Sequence, residues 1–503
     1  MAHNLTLRGV PQAIRQDAWW LSQPVGAERA GGAAGVAGES VARPPRGAAM
    51  LALVATADIL FYGHVPGLSL AAFAAVVFTI VALSLPHRHE VLRPAILLAV
   101  TCLPSVEYIQ TLSVLFFLFG LLTSISWMVQ GPAATIDEVM RGAGVLLRRL
   151  PWLGVRDLLW SAPGVIASGK SLSPPIRFVR GWAFPLGGTL ILMALMIEAN
   201  PVFEGWILAI ADWSFDPMEW IVRAVFWSGV ALLVWPLLAG SAQTLGAGRG
   251  RVKARRFALG AGLGINGASV ASALIAFNLV LGLQSLTDIG YLWGGADLPE
   301  GMSLASYAHR GAYPLLVTAL LAGAFALAAR PFLSDRRWLR PLMALWLLQN
   351  VLLVASAARR LTIYIEVFGP TYLRVHAAIW MAMVAIGLVL VGWQIFRARS
   401  NLWLLLRCAG LSVGVLYVSC FVNFAHLIAA ANLSRAGWAD CDYACGLGPM
   451  AAAAIADVDT PDCEFIRPKP IRGWRDWGFR TYRVSRYLES YDAERAALEN
   501  PGN

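Results

Sequence analysis

Residues 341–360 read PLMALWLLQNVLLVASAARR, and this stretch decides the fold. Its charged residues, Arg359 and Arg360, stand at the very end. A run of about 20 mainly apolar residues is long enough to cross the hydrocarbon core of a bilayer as an α-helix. Similar runs recur from Met50 to Phe424. The sequence therefore predicts an all-α, multi-pass transmembrane helical bundle.

Length and hydropathy together predict about eleven spans. They centre near Val54, Val76, Leu98, Phe117, Leu192, Leu232, Ala276, Leu320, Leu348, Ala385 and Ser412. Composition agrees, because only 14% of the 503 residues are charged, whereas soluble domains average about 25%. Most of the exposed surface must therefore face lipid, which excludes an ordinary soluble fold.

Basic residues between the spans fall almost entirely on alternate sides of the predicted membrane. Connections rich in arginine, such as 141–180 and 249–256, alternate with connections that lack arginine and lysine, such as 63–67, 200–219 and 287–307. The positive-inside rule then places the N-terminus in the cytoplasm and the C-terminus outside, in a bacterial inner membrane. The same rule accounts for most of the net charge of +10, so the bilayer is the expected partner and nucleic acid is not.

The chain divides into three regions. Residues 1–47 lack the apolar core of a signal peptide and predict a disordered cytoplasmic tail. Residues 48–429 form the transmembrane bundle, and residues 430–503 form a small extracytoplasmic C-terminal region. Within the bundle, residues 131–182 form a long cytoplasmic loop.

That loop carries a predicted amphipathic helix. Residues 135–138, TIDE, match a capping box, and apolar residues then follow at helical spacing as far as Pro151. Two placements stay open, one in the plane of the cytoplasmic interface and one packed on the bundle. In the seventh span, Gly264, Ala268, Ser272 and Ala276 recur every four residues and predict a helix-packing face.

The best candidate site is a polar cluster at the outer ends of three late spans. On the ninth span Gln349, Ser356 and Arg360 share one face, because eleven residues at about 100° each return to nearly the same direction. Polar side chains in a span are costly unless they face a bundle interior or a water-filled cavity. The candidate ligand-binding residues are Asp288, Tyr307, His309, Arg310, Arg360, Tyr364, Glu366 and Arg374.

An anionic ligand is the leading expectation, because the planar arginine fork fits carboxylate and phosphate. A transporter with the cluster at one end of its path is one alternative. Another is an enzyme acting on a lipid-linked substrate, with Asp288, His309 or Glu366 as acid or base. The alternative without any ligand is that the arginine side chains extend to the lipid headgroups at the membrane surface. No catalytic residue, cofactor or metal site is predicted.

The polar C-terminal region holds three cysteines, Cys441, Cys445 and Cys463. Outside the cytoplasm, one disulfide among them is the expected use. Residues 465–487 interleave basic with aromatic residues. This pattern predicts contact with anionic lipid headgroups or an envelope partner, and the alternative is a solvated tail folded over the bundle.

Several short segments carry a family resemblance. They are NPVFE (200–204), QSLTDIGYLWGG (284–295), SYAHRGAYP (306–314), RLTIYIE (360–366) and NFAHLIAAANL (423–433). Together they resemble a bacterial family of polytopic membrane proteins that share a domain of unknown function, over residues 51–455. The resemblance implies architecture and membrane location, and it implies no particular activity.

Overall fold

The computed structural model describes residues 46–85, 91–150, 217–239, 267–294, 318, 321–333, 338–435, 441–458 and 466–499. Regular structure in these ranges is helical throughout. The expectation of an all-α chain is confirmed for them, and an α-helix satisfies its own backbone as lipid requires. The predicted tail up to residue 45 and the predicted span near Leu192 lie outside the described residues.

The first group of helices shares one apolar core. Its members are α1 (Arg46–Phe61), α2 (Leu68–Ser84), α3 (Leu92–Glu107), α4 (Thr111–Gln130), α5 (Ile136–Arg149) and α6 (Pro217–Ala239). Asp58 holds α6 to α1, because its Oδ1 accepts hydrogen bonds from Arg223 Nε and Trp227 Nε1, both at 2.8 Å.

The second group has a separate core and contains the candidate site. Its members are α7 (Gly267–Asp288), α8 (Leu321–Leu333), α9 (Leu339–Phe368), α10 (Tyr372–Phe396) and α11 (Asn401–Ser419). A π-helical turn, Ile289–Trp293, continues α7. α9 is the longest described helix at 30 residues, and it packs against both α7 and α10.

The C-terminal region forms a third, smaller core from short helices. These are α12 (Phe424–Leu433), α13 (Cys441–Cys445), α14 (Ala452–Ala456) and the longer α15 (Phe479–Glu499). 3₁₀ turns at Pro449–Ala451 and Trp474–Asp476 complete it.

Six helical stretches in the described part of the chain are long and apolar enough to cross a membrane. They are Thr111–Gln130, Met218–Leu238, Gly267–Trp293, Leu339–Phe368, Tyr372–Phe396 and Asn401–Ser419. Shorter apolar helices include Gly47–Phe61, Leu68–Ser84 and Leu321–Leu333. In the most apolar part of Asn401–Ser419 only 6% of the residues are buried, against 61% for Thr111–Gln130. The protein is therefore a helical membrane protein in which α11 is the most peripheral of these six.

α5 begins at the predicted capping box. Glu138 N donates to Thr135 Oγ1 at 3.3 Å, and Thr135 N donates to Glu138 Oε2 at 2.9 Å. One face of α5 packs on α4, where Ser126 Oγ donates to the Val139 carbonyl at 2.8 Å. Other apolar side chains, Ile136 and Met140 among them, are exposed. α5 thus packs on the bundle, and an interfacial position for its exposed face stays a prediction.

α7 packs through a different face from the predicted one. Ala268, Ser272 and Ala276 are exposed, and Gly264 lies outside the described residues. The buried face instead carries polar side chains, including Asn278 and Asp288. Burying a carboxylate and an amide away from lipid outweighs the benefit of close packing through small residues, so the predicted face is wrong.

The C-terminal region lies against the connection between α1 and α2. Leu68 N donates to the Trp477 carbonyl at 2.7 Å, and Arg475 Nη1 donates to the Ile59 carbonyl at 2.6 Å. A Cβ at Gly67 would stand 2.6 Å from the Trp477 carbonyl oxygen. The close approach therefore requires glycine at this position.

Arg480 joins the C-terminal region to both large helix groups. Its Nε donates to Glu107 Oε1 at 3.0 Å, and its Nη2 donates to the Cys420 carbonyl at 2.7 Å. The guanidinium lies over the ring of Tyr108, 5.2 Å from the centroid. Arg475 and Arg480 thus form hydrogen bonds with the helix bundle, as expected for a tail folded over it.

Candidate functional site

The candidate site is built on the polar face that α9 turns toward α7. Asn350, Ser356 and Arg360 are buried on α9, and Asn278, Ser285 and Asp288 are buried on α7. Their burial follows from the helical spacing, because these residues would otherwise face lipid. When two helices each carry a row of polar side chains, packing these rows against each other satisfies their hydrogen-bonding groups.

The centre of this face is the ion pair between Arg360 and Asp288. The Arg360 and Asp288 side chains are only 4% and 2% exposed. Gln284 Nε2 also donates to Asp288 Oδ1, at 3.0 Å. A carboxylate and a guanidinium buried together are tolerated because each compensates the charge of the other. Arg360 is therefore a clustered arginine and does not snorkel.

A π-helical turn follows directly after Asp288. Gly294 N donates to the Ile289 carbonyl at 2.7 Å to close this wide turn, and Trp293 Nε1 donates to Ser356 Oγ at 3.4 Å. Single π-turns inside helices are rare and frequently occur at functional sites. The irregular backbone places Asp288 at the point where α7 stops being an ordinary α-helix.

The polar face continues from the ion pair as an amide seam of Asn278 and Gln349. The next residue on α9, Asn350, is also buried, and its amide donates to the Trp346 carbonyl of its own helix. Gln349 Nε2 donates to the Asn278 carbonyl at 3.2 Å, and Asn278 Nδ2 donates to the Leu342 carbonyl at 3.1 Å. The three side-chain oxygens are buried, and none accepts a hydrogen bond from the residues that the structure describes. Such atoms are uncommon in folded proteins and call for an explanation.

A second set of arginines surrounds the carboxyl end of α9. Arg374 Nη1 donates to the Phe368 carbonyl at 2.8 Å, and its guanidinium lies 4.6 Å from the centre of the Tyr364 ring. Arg435 Nη1 donates to the Ile365 carbonyl at 2.6 Å. The last carbonyls of a helix lack partners within the helix and carry partial negative charge. Arg374 satisfies one such carbonyl, that of Phe368, whereas Arg435 adds a second hydrogen bond to the Ile365 carbonyl, which already accepts from Gly369 N. The two arginines bring two positive charges to the last turn of α9.

Arg359 lies beside this second set and faces outward. Its Nη1 is 3.9 Å from Glu366 Oε1, and both side chains are substantially exposed. Of the two candidate acids for Arg360, Asp288 and Glu366, the structure pairs Arg360 with Asp288, whereas Glu366 lies beside Arg359. We name the group of Arg359, Arg374 and Arg435 the outer arginine cluster.

The structure divides the predicted site residues into two groups. Asp288 and Arg360 form the buried pair, whereas Tyr364, Glu366 and Arg374 lie at the outer end of α9. The remaining predicted residues, Tyr307, His309 and Arg310, lie outside the described residues. Sequence reasoning missed Arg435, although it was one more arginine against the positive-inside rule and followed a motif already singled out.

Two further features lie near this end of the molecule. Cys445 is disulfide-bonded, and the side chains of Cys441 and Cys463 are outside the described residues. Tyr372 N donates to Tyr443 Oη at 3.1 Å, and Asn432 Nδ2 donates to the Pro370 carbonyl at 2.9 Å. The C-terminal region therefore contacts the connection from α9 to α10.

Comparison with known families gives one match, to the domain of unknown function DUF4153, over residues 92–458. Neither a search of curated proteins nor a search of solved structures gives a match. The matched range covers the described helices from α3 to α14. It includes the Arg360–Asp288 ion pair and the outer arginine cluster. The chain belongs to the family defined by the domain of unknown function DUF4153.

Proposed function

We propose that the protein is a bacterial inner-membrane protein of about eleven spans, with a cytoplasmic N-terminus and an extracytoplasmic C-terminus. Ten described helices, α1–α4 and α6–α11, overlap predicted span positions, and six of the ten are long and apolar enough to cross a membrane. The C-terminal region touches the connections at 62–67 and 104–110, neither of which carries arginine or lysine. These contacts support the placement of the C-terminal region and both connections on the same side of the membrane.

On that side the protein binds an anionic envelope ligand at the outer arginine cluster. One observation carries this function, which is that Arg374 and Arg435 both bind carbonyls in the last turn of α9, while Arg359 lies beside Glu366 of the same turn. In the proposed topology this end of α9 is on the side where the positive-inside rule disfavours positive charge. Among the described residues, Glu366 is the carboxylate that forms an ion pair with the cluster. The cluster keeps an excess of positive charge that an anion would balance.

Each predicted residue has a distinct part in this proposal. Arg374 supplies a fork that the Tyr364 ring and the α9 carbonyls hold in place, which suits bidentate binding of phosphate or carboxylate. Asp288 and Arg360 fasten α9 to α7 beneath the cluster. Tyr307, His309 and Arg310 lie outside the described residues and stay candidate ligand-binding residues by sequence alone.

The test is stabilisation of the purified protein by a soluble anion. In an uncharged detergent, inorganic diphosphate is added against sodium chloride at equal ionic strength, and the midpoint of thermal unfolding is measured. A ligand at about one hundred times its Kd stabilises by about 2.7 kcal/mol, so diphosphate should raise the midpoint. The double variant Arg374→Gln/Arg435→Gln should lose this increase.

Arg397 offers a matched control at the other end of α10. Its guanidinium lies 5.0 Å from the centre of the Trp393 ring, much as Arg374 lies on Tyr364. Arg397→Gln should keep the full response to diphosphate. An equal response of the wild type and the double variant would refute binding at the outer arginine cluster.

Transport is the second candidate, and the amide seam is the observation that favours it. From Asp288 the polar face runs past Ser356 to Asn278 and Gln349. Buried ionisable groups in spans mark ion and proton paths in many transporters. The change from α-helix to a π-helical turn directly after Asp288 is a feature that frequently occurs at functional sites.

Proton movement tests this candidate without knowledge of the solute. Liposomes containing the protein and a pH-sensitive dye are given a membrane potential, and the rate of internal acidification is recorded. Asp288→Asn combined with Arg360→Gln should reduce the rate to that of empty liposomes. Glu219→Gln, which changes an exposed carboxylate on α6, should not. No difference between wild-type and empty liposomes would reject a proton path.

A further inference from the structure

A groove opens between α8, α10 and α11, away from the outer arginine cluster. Its volume is about 290 Å³. It is mostly apolar, and its lining includes Gly323, Leu327, Gly387, Leu388, Leu404 and Cys408. α10 and α11 are among the least buried spans, so this side of the bundle faces lipid. A groove of this shape has room for one acyl chain.

A polar node lies about one helical turn beyond the residues that line the groove. Arg330 follows Leu327 by one turn, and it donates to the side chain of Asn401 and to the Arg399 carbonyl. These two hydrogen bonds use two of the five N–H donors of a guanidinium. They also fix the plane of the fork.

Gln394 belongs to the same node and is fully buried. Its Nε2 donates to Asn401 Oδ1 at 2.9 Å and to the Ser400 carbonyl at 3.2 Å. Because a carbonyl can only accept, the amide nitrogen must point there and the amide oxygen must point elsewhere. No hydrogen bond to that oxygen comes from the described residues.

We propose that this groove binds an anionic phospholipid. One acyl chain lies along Leu327, Gly387 and Leu404, and the phosphate binds Arg330. Arg397, Arg399 and Arg407 follow closely in sequence and make this end of the bundle positive, which favours anionic lipid. The groove shares α10 with the proposed anion site, but its polar node lies at the carboxyl end of that helix, whereas Arg374 lies at the amino end.

The experiment is native mass spectrometry of the full chain with phosphatidylglycerol and phosphatidylcholine of identical acyl chains. The wild type should hold phosphatidylglycerol more tightly. Arg330→Ala should weaken phosphatidylglycerol binding about tenfold, as expected for one charge-assisted contact, and should leave phosphatidylcholine unchanged. Arg93→Ala, an exposed arginine at the start of α3, is the matched control and should keep the preference.

Substitutions that fill the groove test whether an acyl chain occupies it. No atom stands within 4 Å of the place that a Cβ would take at Gly387, and the same holds for Gly323 and Gly410. Gly387→Leu should remove the tightly held lipid, whereas Gly410→Leu, elsewhere on α11, should retain it. If Gly387→Leu does not fold, Gly323→Leu replaces it. Equal affinity for the two lipids, or full binding by the filled variant, would overturn the proposal.

Discussion

In the part of the chain that the structure describes, two arginines are almost fully buried, and each is accompanied by a carboxylate from another helix. Arg360 pairs with Asp288, and Arg480 pairs with Glu107. A charge moved out of water is tolerated only when its partner moves with it. The two pairs therefore fix which helices lie together, whatever their net contribution to stability.

Removal of one partner of the Arg360–Asp288 pair should destabilise the bundle. We expect Arg360→Ala to lower the free energy of unfolding in mixed micelles by about 3–5 kcal/mol, because Asp288 is left buried without its counter-charge. Arg360→Lys should not restore it, because lysine lacks the planar fork. The double variant Asp288→Leu/Arg360→Met should be less destabilised than Arg360→Ala. A loss below about 1 kcal/mol for Arg360→Ala would contradict this account.

Gly67→Ala should loosen the C-terminal region. The new Cβ would stand 2.6 Å from a backbone oxygen, so one of the two chains must move. We expect a limited protease to cleave near Trp477 faster in this variant than in the wild type. Gly47→Ala is the control, because no atom lies near its Cβ position and alanine favours a helix. Equal cleavage of all three proteins would show that the contact does not hold the region.

At the scale of elements, helical periodicity predicts which residues share one face of a helix. Gln349, Ser356 and Arg360 could be aligned from the sequence because 3.6 residues complete each turn, and the capping box of α5 is equally local. The packing face of α7 could not be predicted from small residues alone, because the burial of Asp288 outweighed them. The pairing of Arg480 with Glu107 could not be predicted from the sequence, because the two residues are 373 positions apart.

α15 should show a pH-dependent attachment through Tyr487. A hydrogen bond to Asp457 raises the pKa of Tyr487 to about 12, from an ordinary value near 10. The neutral phenol therefore contributes stability that is complete below about pH 10 and is lost as the pH rises through about 12.

The difference in tyrosinate absorbance between the wild type and Tyr487→Phe measures this titration directly. Its midpoint should lie near pH 12. Asp457→Asn removes the charged acceptor and should move the midpoint back toward the ordinary value. A wild-type midpoint near pH 10 would contradict the hydrogen bond.

The C-terminal region should contain one oxidised cysteine pair. Cys445 is disulfide-bonded, whereas Cys102, Cys408 and Cys420 are free. We predict that thiol labelling in denaturant rises by two groups after reduction, and that both come from Cys441, Cys445 and Cys463. The three free cysteines serve as the internal standard, because their labelling should not change. Full labelling of all six before reduction would exclude the pair.

At the scale of the whole molecule, two helix groups with separate cores meet through few described contacts. Tyr417 Oη on α11 donates to the Val100 carbonyl on α3 at 2.8 Å, and its ring meets Phe116 edge-on. Arg480 adds the second connection, to Glu107 and Cys420. Each group can therefore keep its own packing while the connection between them changes.

The proposed topology makes a direct prediction. A reporter that is active only outside the cytoplasm should work when fused after Asn503, because the C-terminal region contacts the connections that lack basic residues. The same reporter inserted between α10 and α11, beside Arg399, should be inactive. An active reporter beside Arg399 together with an inactive one after Asn503 would invert the proposed orientation.

The position of Arg480 sets an order on biosynthesis. Because it follows every described span in the chain, the ribosome completes both helix groups before Glu107 receives its counter-charge. Until then Glu107 lacks the partner with which it is buried in the folded chain. We therefore expect chains interrupted before residue 480 to be degraded faster than the full chain, even when their spans are inserted.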